Sequence, residues 1–235
     1  MNKGRLFLIP VPLGQTPVES VLPQPVRDCA RQLKHFVAEN AKSARAFLKS
    51  LPSDTPLQQI EIRELNEHTN SNLLPELLAP LLSGNDVGLI SEAGCPAVAD
   101  PGANLVALAH QEGIQVLPMI GPSSILLALM GSGLSGQNFA FHGYLPAKDD
   151  LRQKKIRELE KDSRQEKRTQ IFIETPYRNQ QMLNTLTNAC APTTKICVAT
   201  DLTLDSESIV TCTPSGWKRR AANIDRRPTV FLLQA

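Results

Sequence analysis

Four stretches of the chain combine residue types and spacings that suit ligand chemistry. Ile9-Pro10-Val11-Pro12-Leu13-Gly14 follows an apolar run, at the point where open parallel sheets place their ligand crevice. The same residues also make a rigid proline turn. Ser91-Glu92-Ala93-Gly94-Cys95-Pro96-Ala97-Val98-Ala99-Asp100-Pro101-Gly102 follows a second apolar run. Its small residues allow a flat ligand to approach the backbone closely. Glu92 or Asp100 could accept hydrogen bonds from a ribose or an ammonium group, although Asp-Pro-Gly is also strong turn chemistry. Pro118-Met119-Ile120-Gly121-Pro122-Ser123-Ser124 ends in a Gly-Pro-Ser-Ser helix opening, whose free amides suit a ligand oxygen. Either serine also serves as an ordinary N-cap. His142-Gly143-Tyr144-Leu145-Pro146-Ala147-Lys148 leads into a charged stretch with Arg152, Lys154, Lys155, Arg157, Lys161, Arg164, Lys167 and Arg168 against Glu158, Glu160, Asp162 and Glu166. A solvated helix face and a phosphate-tracking surface both fit that pattern. Trp217-Lys218-Arg219-Arg220, with Arg226-Arg227, is a second basic cluster.

The elements that must hold these stretches alternate in kind. Leu6–Ile9 reads as a buried strand, expected at the centre of its sheet. His35–Glu39 is another strand, and Asn40 N-caps a helix whose apolar face holds Ala41, Ala44, Phe47, Leu48 and Leu51 and which stops at Pro52. Strands at Ile60–Leu65, Val87–Ile90 and Ile114–Leu117 alternate with helices at Leu73–Leu82 and Leu105–Glu112, with Gly113 just past the last helix. That alternation predicts a mainly parallel sheet covered on both faces. The turn Pro118–Gly121 divides the chain into domains 1–118 and 119–235. The second series has helices at Ser124–Met130, Lys148–Arg168 and Asn179–Ala189. Its strands fall at Phe139–Tyr144, Gln170–Ile173, Lys195–Ala199, Ser208–Cys212 and Val230–Leu233. Adjacent strands at its end predict a mixed sheet. The fold class expected is α/β, in two α/β domains.

Composition narrows the function classes. The chain has 235 residues, of which 41% are hydrophobic and 20% charged, so it can bury a core and is not a disordered polyelectrolyte. The net charge of +2 does not by itself announce a nucleic-acid partner. Five cysteines, an odd number without C-x-x-C spacing, argue against a disulfide framework or a zinc knuckle and for the cytoplasm. His35, His68, His110 and His142 lack ligand spacing, so no metal is expected. The opening Met1–Arg5 leads into an apolar run stopped by Pro10 and Pro12, too short for a signal peptide or a membrane span. The glycine fingerprint of a dinucleotide oxidoreductase is missing.

Five segments, taken in order, resemble a known family over almost the whole chain. Leu8–Gly14 is similar to the strand and Pro-x-Pro-[Ile/Leu]-Gly turn that open the bacterial small-subunit ribosomal-RNA methyltransferases acting on a cytidine ribose. Leu89–Gly102 resembles their Ser-Asp-Ala-Gly-Thr-Pro…Asp-Pro-Gly loop, and Gly121–Ser124 their Gly-Pro-Ser turn. Gly143–Lys148 is similar to Gly-[Phe/Tyr]-Leu-Pro-x-Lys, and Phe172–Arg178 to Phe-Tyr-Glu-Ser-x-His-Arg. The resemblance implies a tetrapyrrole-methylase fold, S-adenosylmethionine held in a cleft between two domains, and a homodimer. Carried over by position, Pro12, Ser91, Glu92, Ala93, Val98 and Ser124 line the cofactor site, with Thr175, Leu202 and Thr229 added from the second domain. The chain departs from the pattern where Glu-Asp-Thr-Arg becomes Glu39-Asn40-Ala41-Lys42, where the loop aspartate becomes Glu92, and where Lys-Gly-Glu becomes Arg227-Pro228-Thr229. Lysine cannot form the two-pronged phosphate contact of arginine, so these departures mark a sister subgroup whose substrate differs.

Methyl transfer from a sulfonium is an in-line displacement in which the protein mainly aligns donor and nucleophile. An alcohol nucleophile gains from a positioned base. Glu39, at a strand end, is the first candidate for base or substrate positioning and Glu174 the second; Lys148 would orient a phosphate. Glu39 also suits a helix N-terminus, and Lys148 a solvated position. RNA ribose 2′-O-methylation is the leading expectation. Methylation of a small molecule such as a tetrapyrrole, or a non-catalytic protein that binds the cofactor, are the alternatives.

Overall fold

Short β-branched and aromatic runs bounded by proline and glycine set the strands of this protein. The computed structural model describes residues 2–51 and 55–235, and the chain divides into two compact units, residues 1–123 and 124–235.

The first unit runs β1 (Leu6–Leu8), α1 (Val18–Val21), α2 (Gln24–Gln32), β2 (His35–Ala38), α3 (Ala41–Ser50), β3 (Glu61–Glu64), α4 (Leu74–Leu82), β4 (Val87–Ile90), α5 (Gly102–Gln111) and β5 (Val116–Pro118). All its strand pairs are parallel, in the order β3-β2-β4-β1-β5. The centre is therefore β4, not the strand at Leu6–Leu8 as expected. Every residue of β4 is buried, and Gly88 is required there because a Cβ would sit 2.7 Å from the Phe36 ring. Successive side chains leave a strand on opposite faces. Phe36 and Ile90 join the core beneath α1, α2 and α3, while Val37 and Leu89 join the core beneath α4 and α5. Asn40 caps α3 as its type predicts, accepting from the Lys42 amide at 2.8 Å and the Ser43 amide at 3.2 Å. Pro52, expected to stop this helix, lies outside the described residues.

The second unit runs α6 (Ser124–Ser132), β6 (Phe139–Tyr144), α7 (Asp149–Glu166), β7 (Thr169–Ile173), α8 (Asn179–Ala189), β8 (Lys195–Thr200), β9 (Ser208–Cys212), α9 (Pro214–Lys218) and β10 (Thr229–Gln234). The sheet is mixed, in the order β6-β7-β10-β8-β9; β6 and β7 are parallel and the remaining pairs antiparallel. Ile156 and Leu159 of α7, Leu183 and Leu186 of α8 and Trp217 of α9 pack with Phe172, Ile196, Val198 and Phe231 in one core. Among the described residues, no helix is long and apolar enough to cross a membrane.

Candidate active site

In the first unit, parallel register aligns the strand ends. Leu8 pairs with Leu89, and Ala38 with Ile90, so Ile9, Glu39 and Ser91 leave the sheet along one edge. Three loops then join into one wall. The Val11 amide donates to Gly94 O at 2.9 Å, and the Gly94 amide returns the bond to Val11 O at 3.1 Å. The Met119 amide donates to Leu8 O at 2.9 Å. Gly121 lies so close to Pro10 that a Cβ would be 2.3 Å from the proline Cβ. The Cys95 thiol donates to Pro122 O at 3.4 Å. Gly94 holds φ +72 and Ala97 and Ala99 hold φ 64 and φ 60, a region that costs a non-glycine residue roughly 1–2 kcal/mol.

The predicted residues of this unit fall on or beside that wall. Pro12 and Ser91 are half-buried, and Glu92, Ala93 and Val98 are exposed. The Ser91 hydroxyl donates to Ala93 O at 3.2 Å. A cavity of about 410 Å³ opens between the first loop, α3 and the start of the second loop, and Pro12, Phe47, Ser91 and Glu92 are among its walls. Asp100 serves its own loop. Its carboxylate accepts the Ala97 amide at 2.9 Å and the Gly102 amide at 2.7 Å, which is the turn-and-helix-cap role open to Asp-Pro-Gly from sequence.

Glu39 is half-buried at the end of β2. Burial pushes its carboxyl above the usual carboxylate range. A hydrogen bond from the Glu92 backbone amide opposes that shift, and the nearby charges of Glu92, Asp100 and Glu67 add to it. Burial likewise raises Asp100 against its two amide bonds. These acids make the carboxyl edge of the first sheet a negative site. It favours a cationic ligand with hydrogen-bond donors, and a sulfonium nucleoside carrying an ammonium group and ribose hydroxyls has that donor set.

In the second unit the register again gathers predicted residues. Tyr144 pairs with Ile173, Val230 with Ile173, and Thr229 with Thr200. The segments at Leu145–Lys148, Glu174–Thr175, Asp201–Leu202 and Thr229 therefore share one sheet edge. Thr175 is half-buried, while Leu202 and Thr229 are buried. Ser124, half-buried, opens α6. Lys148 is exposed and precedes the first residue of α7. Glu174 has a fully buried side chain paired with Arg178 at 2.6 Å. The same oxygen, Oε1, accepts the Thr175 amide at 2.7 Å.

Two anchors escaped the sequence reading. Buried Asn179 donates to Ile224 O at 2.9 Å, Arg227 O at 2.7 Å and Thr229 Oγ1 at 3.2 Å, tying the loop before β10 to the start of α8. Its position at a helix start was visible, but its three distant acceptors were not. Asp201, at φ 50, pairs with Arg227 at 2.8 Å, and Arg227 also donates to Ser206 O at 2.6 Å. Arg227 therefore belongs to the loop's framework rather than to a free basic rim. Trp217 is also structural, buried with its indole N–H donating to Ile196 O at 2.9 Å. Arg152 leaves the expected basic face as well. It is 1% exposed, paired with Asp149 at 2.5 Å and bonded to Ala147 O at 2.9 Å.

No protein-family model matches the chain. It is 30% identical over 204 residues to the ribosomal RNA small subunit methyltransferase I of Vibrio cholerae, covering 87% of this chain and 67% of that one. It is 31% identical over 220 residues to the protein of that name from Xylella fastidiosa, covering 94% and 76%. Among solved structures, uroporphyrin-III C-methyltransferase from Thermus thermophilus complexed with S-adenyl homocysteine superposes with a TM-score of 0.59 at 15% identity, covering 98% of this chain and 97% of that one. The chain shares that tetrapyrrole-methylase fold.

Proposed function

The chain belongs to the ribosomal RNA small subunit methyltransferase I family, and on that premise we propose that it transfers the methyl group of S-adenosylmethionine to a ribose 2′-hydroxyl of small-subunit ribosomal RNA. The observation that carries the reading is the Glu39 environment: a half-buried carboxylate with raised proton affinity, bonded by the Glu92 amide, among loops that match the family's cofactor segments. S-adenosylmethionine supplies an activated methyl on a sulfonium. Pro12, Ser91, Glu92, Ala93, Val98 and Ser124 hold it, with Thr175, Leu202 and Thr229 from the second unit. Glu92 and Asp100 place negative charge beside these loops, which favours a positively charged ligand. Glu39 accepts the proton of the attacking hydroxyl, a contribution of typically ~10²–10⁴ in rate. Lys148, on its exposed turn, orients a phosphate of the acceptor strand. Glu174 acts through Arg178, which it pins at 2.6 Å.

The departures from the family's substrate segments are local. Asn40 replaces an aspartate but keeps the helix-capping bonds. Pro228 keeps only a backbone role, its carbonyl accepting the Asp201 amide at 2.9 Å. These positions set which nucleotide is methylated. On the same resemblance we assign the protein to the cytoplasm and to a homodimer, the latter measurable by light scattering. The deciding experiment incubates the protein with radiolabelled S-adenosylmethionine and either small ribosomal subunits or a small-molecule extract. Label in a 2′-O-methylnucleoside after nuclease digestion supports the reading. Label only in a small acceptor such as a tetrapyrrole, or none in either, overturns it.

A further inference from the structure

Helix α7 gathers four of its cations along one face. At about 100° per residue, Lys154, Arg157, Lys161 and Arg164 fall within one stripe about 80° wide, and the four span about 15 Å at 1.5 Å per residue. All four are exposed. Lys154, Arg157 and Lys161 line one shallow hollow of about 500 Å³ together with Gln153, Asp150 and Glu158, three cations against two acids. None of the four forms an ion pair among the described residues. Several acids of the helix pair elsewhere: Glu158 with Lys155 at 3.8 Å, Asp162 with Arg168 at 3.3 Å, and Asp149 with buried Arg152; Asp150, in the first turn, is the one acid within the stripe. Glu160 accepts from the Ala191 amide and the Thr194 hydroxyl, so it faces the end of α8.

The surface on the side of α8 adds no further acid. Arg152 bonds Thr185 across the contact between α7 and α8, and α8 carries no charged residue. Its exposed positions include Gln181, Asn184 and Asn188, amides that both donate and accept. The cationic stripe lies toward this side of α7, while Glu158 borders it opposite α8 and Asp162 and Glu166 lie further round the helix. An exposed cation costs little to hold in water and gains little from a distant acid. Four aligned cations against the single acid Asp150 within the stripe, beside an uncharged amide face, instead complement a polyanion with polar edges.

We propose that the Lys154–Arg157–Lys161–Arg164 stripe, flanked by the amide face of α8, is a docking track for the phosphate backbone of the RNA substrate. It rests on the reading that the acceptor is RNA. The track contributes affinity and register without reading bases, because phosphate contacts carry no sequence information.

The test is binding of purified small-subunit ribosomal RNA across a salt series, comparing the full-length protein with its K154Q/R157Q/K161Q/R164Q variant. Glutamine keeps helix propensity while removing charge. Releasing four phosphate contacts lowers the slope of log K against log salt by roughly 3 and weakens binding on the order of 10²-fold near physiological salt. S-adenosylmethionine affinity and circular dichroism stay unchanged. A charge-matched control replaces the exposed lysines Lys3, Lys34, Lys49 and Lys195 with glutamine. An equal loss in that control, or an unchanged slope in the stripe variant while the parent binds RNA, overturns the track and leaves the RNA reading intact. A parent protein with no salt-dependent RNA affinity overturns both, and capture by phosphatidylserine vesicles in place of RNA does the same.

Discussion

Two glutamates that each follow a strand end in different electrostatic surroundings. Glu39 keeps partial access to solvent, and its carboxyl is raised chiefly by burial. Glu174 is fully buried and paired with Arg178. Their variants separate a reactive carboxylate from a structural one. Glu39→Gln lowers kcat about 10²–10⁴-fold in a single-turnover methylation assay while S-adenosylmethionine affinity is retained. Because the folded protein holds this proton more tightly than the unfolded chain, the group's stabilising contribution is complete below the ordinary carboxylate range and is lost as pH rises through the raised value. At neutral pH the ionised carboxylate opposes folding, so Glu39→Gln melts higher than the parent at pH 7. The two melt alike below about pH 4, where the parent's carboxyl is also neutral. A lower melting temperature for the variant at pH 7 contradicts the assignment. Glu174→Ala strips the partner from Arg178 and lowers stability by roughly 3–5 kcal/mol in urea unfolding. A loss under about 1 kcal/mol would show that the pair adds little, leaving Glu174 available for chemistry.

At the scale of elements, the far half of the loop Ser91–Gly102 is closed by one side chain. Asp100 closes it onto Ala97 and onto the first amide of α5, against the strain of the left-handed residues Ala97 and Ala99. Asp100→Ala therefore costs about 1–2 kcal/mol, as other lost caps do, and speeds amide exchange across residues 96–102. Unchanged exchange there would mean that the bridge between Val11 and Gly94 suffices. The sequence showed this loop's chemistry because Gly, Pro and Asp at those spacings have few other uses. It showed most of the strands for a similar reason, since short apolar runs such as Val87–Ile90 have no other place than a sheet interior. Strand order was not legible: β1 and β4 are equally apolar, and which is central depends on pairing partners far along the chain. α1 and α2 had no counterpart in the sequence reading, where prolines at 17, 23 and 25 interrupt any long helical period. Yet Pro25 lies in the first turn of α2, where a missing amide costs nothing, and that position was the available signal. α9 gave a similar hint in Thr213 followed by Pro214, with the threonine hydroxyl accepting the Gly216 amide at 3.4 Å.

At the scale of the whole molecule, net charge said little because what matters is its distribution. A chain of +2 carries two acids of raised proton affinity, Glu39 and Asp100, at one sheet edge and four cations along one stripe of a helix. Sequence separated those features by type but could not show that Arg152 and Trp217 are buried and Arg227 is half-buried against its own loop, three members of the expected basic surfaces tied down by the fold. Their partners are backbone carbonyls and acids that only the fold brings near. The proposed cofactor residues belong to both units, and that assignment has a consequence at this scale. Ligand binding stabilises the native state by RT ln(1 + [L]/Kd), about 2.7 kcal/mol at a hundredfold excess over Kd. Amides whose exchange requires opening of a contacting segment are slowed by up to that amount. Saturating S-adenosylmethionine is thus expected to slow exchange about a hundredfold in residues 10–14 and 91–95 and also in residues 174–177 and 201–203. Protection limited to the first unit would remove Thr175, Leu202 and Thr229 from the cofactor site and leave Glu39 with its neighbouring loops as a complete site of their own. Protection in both, together with lost turnover in Glu39→Gln, is what a methyl donor held by both units and a base supplied by the first must produce.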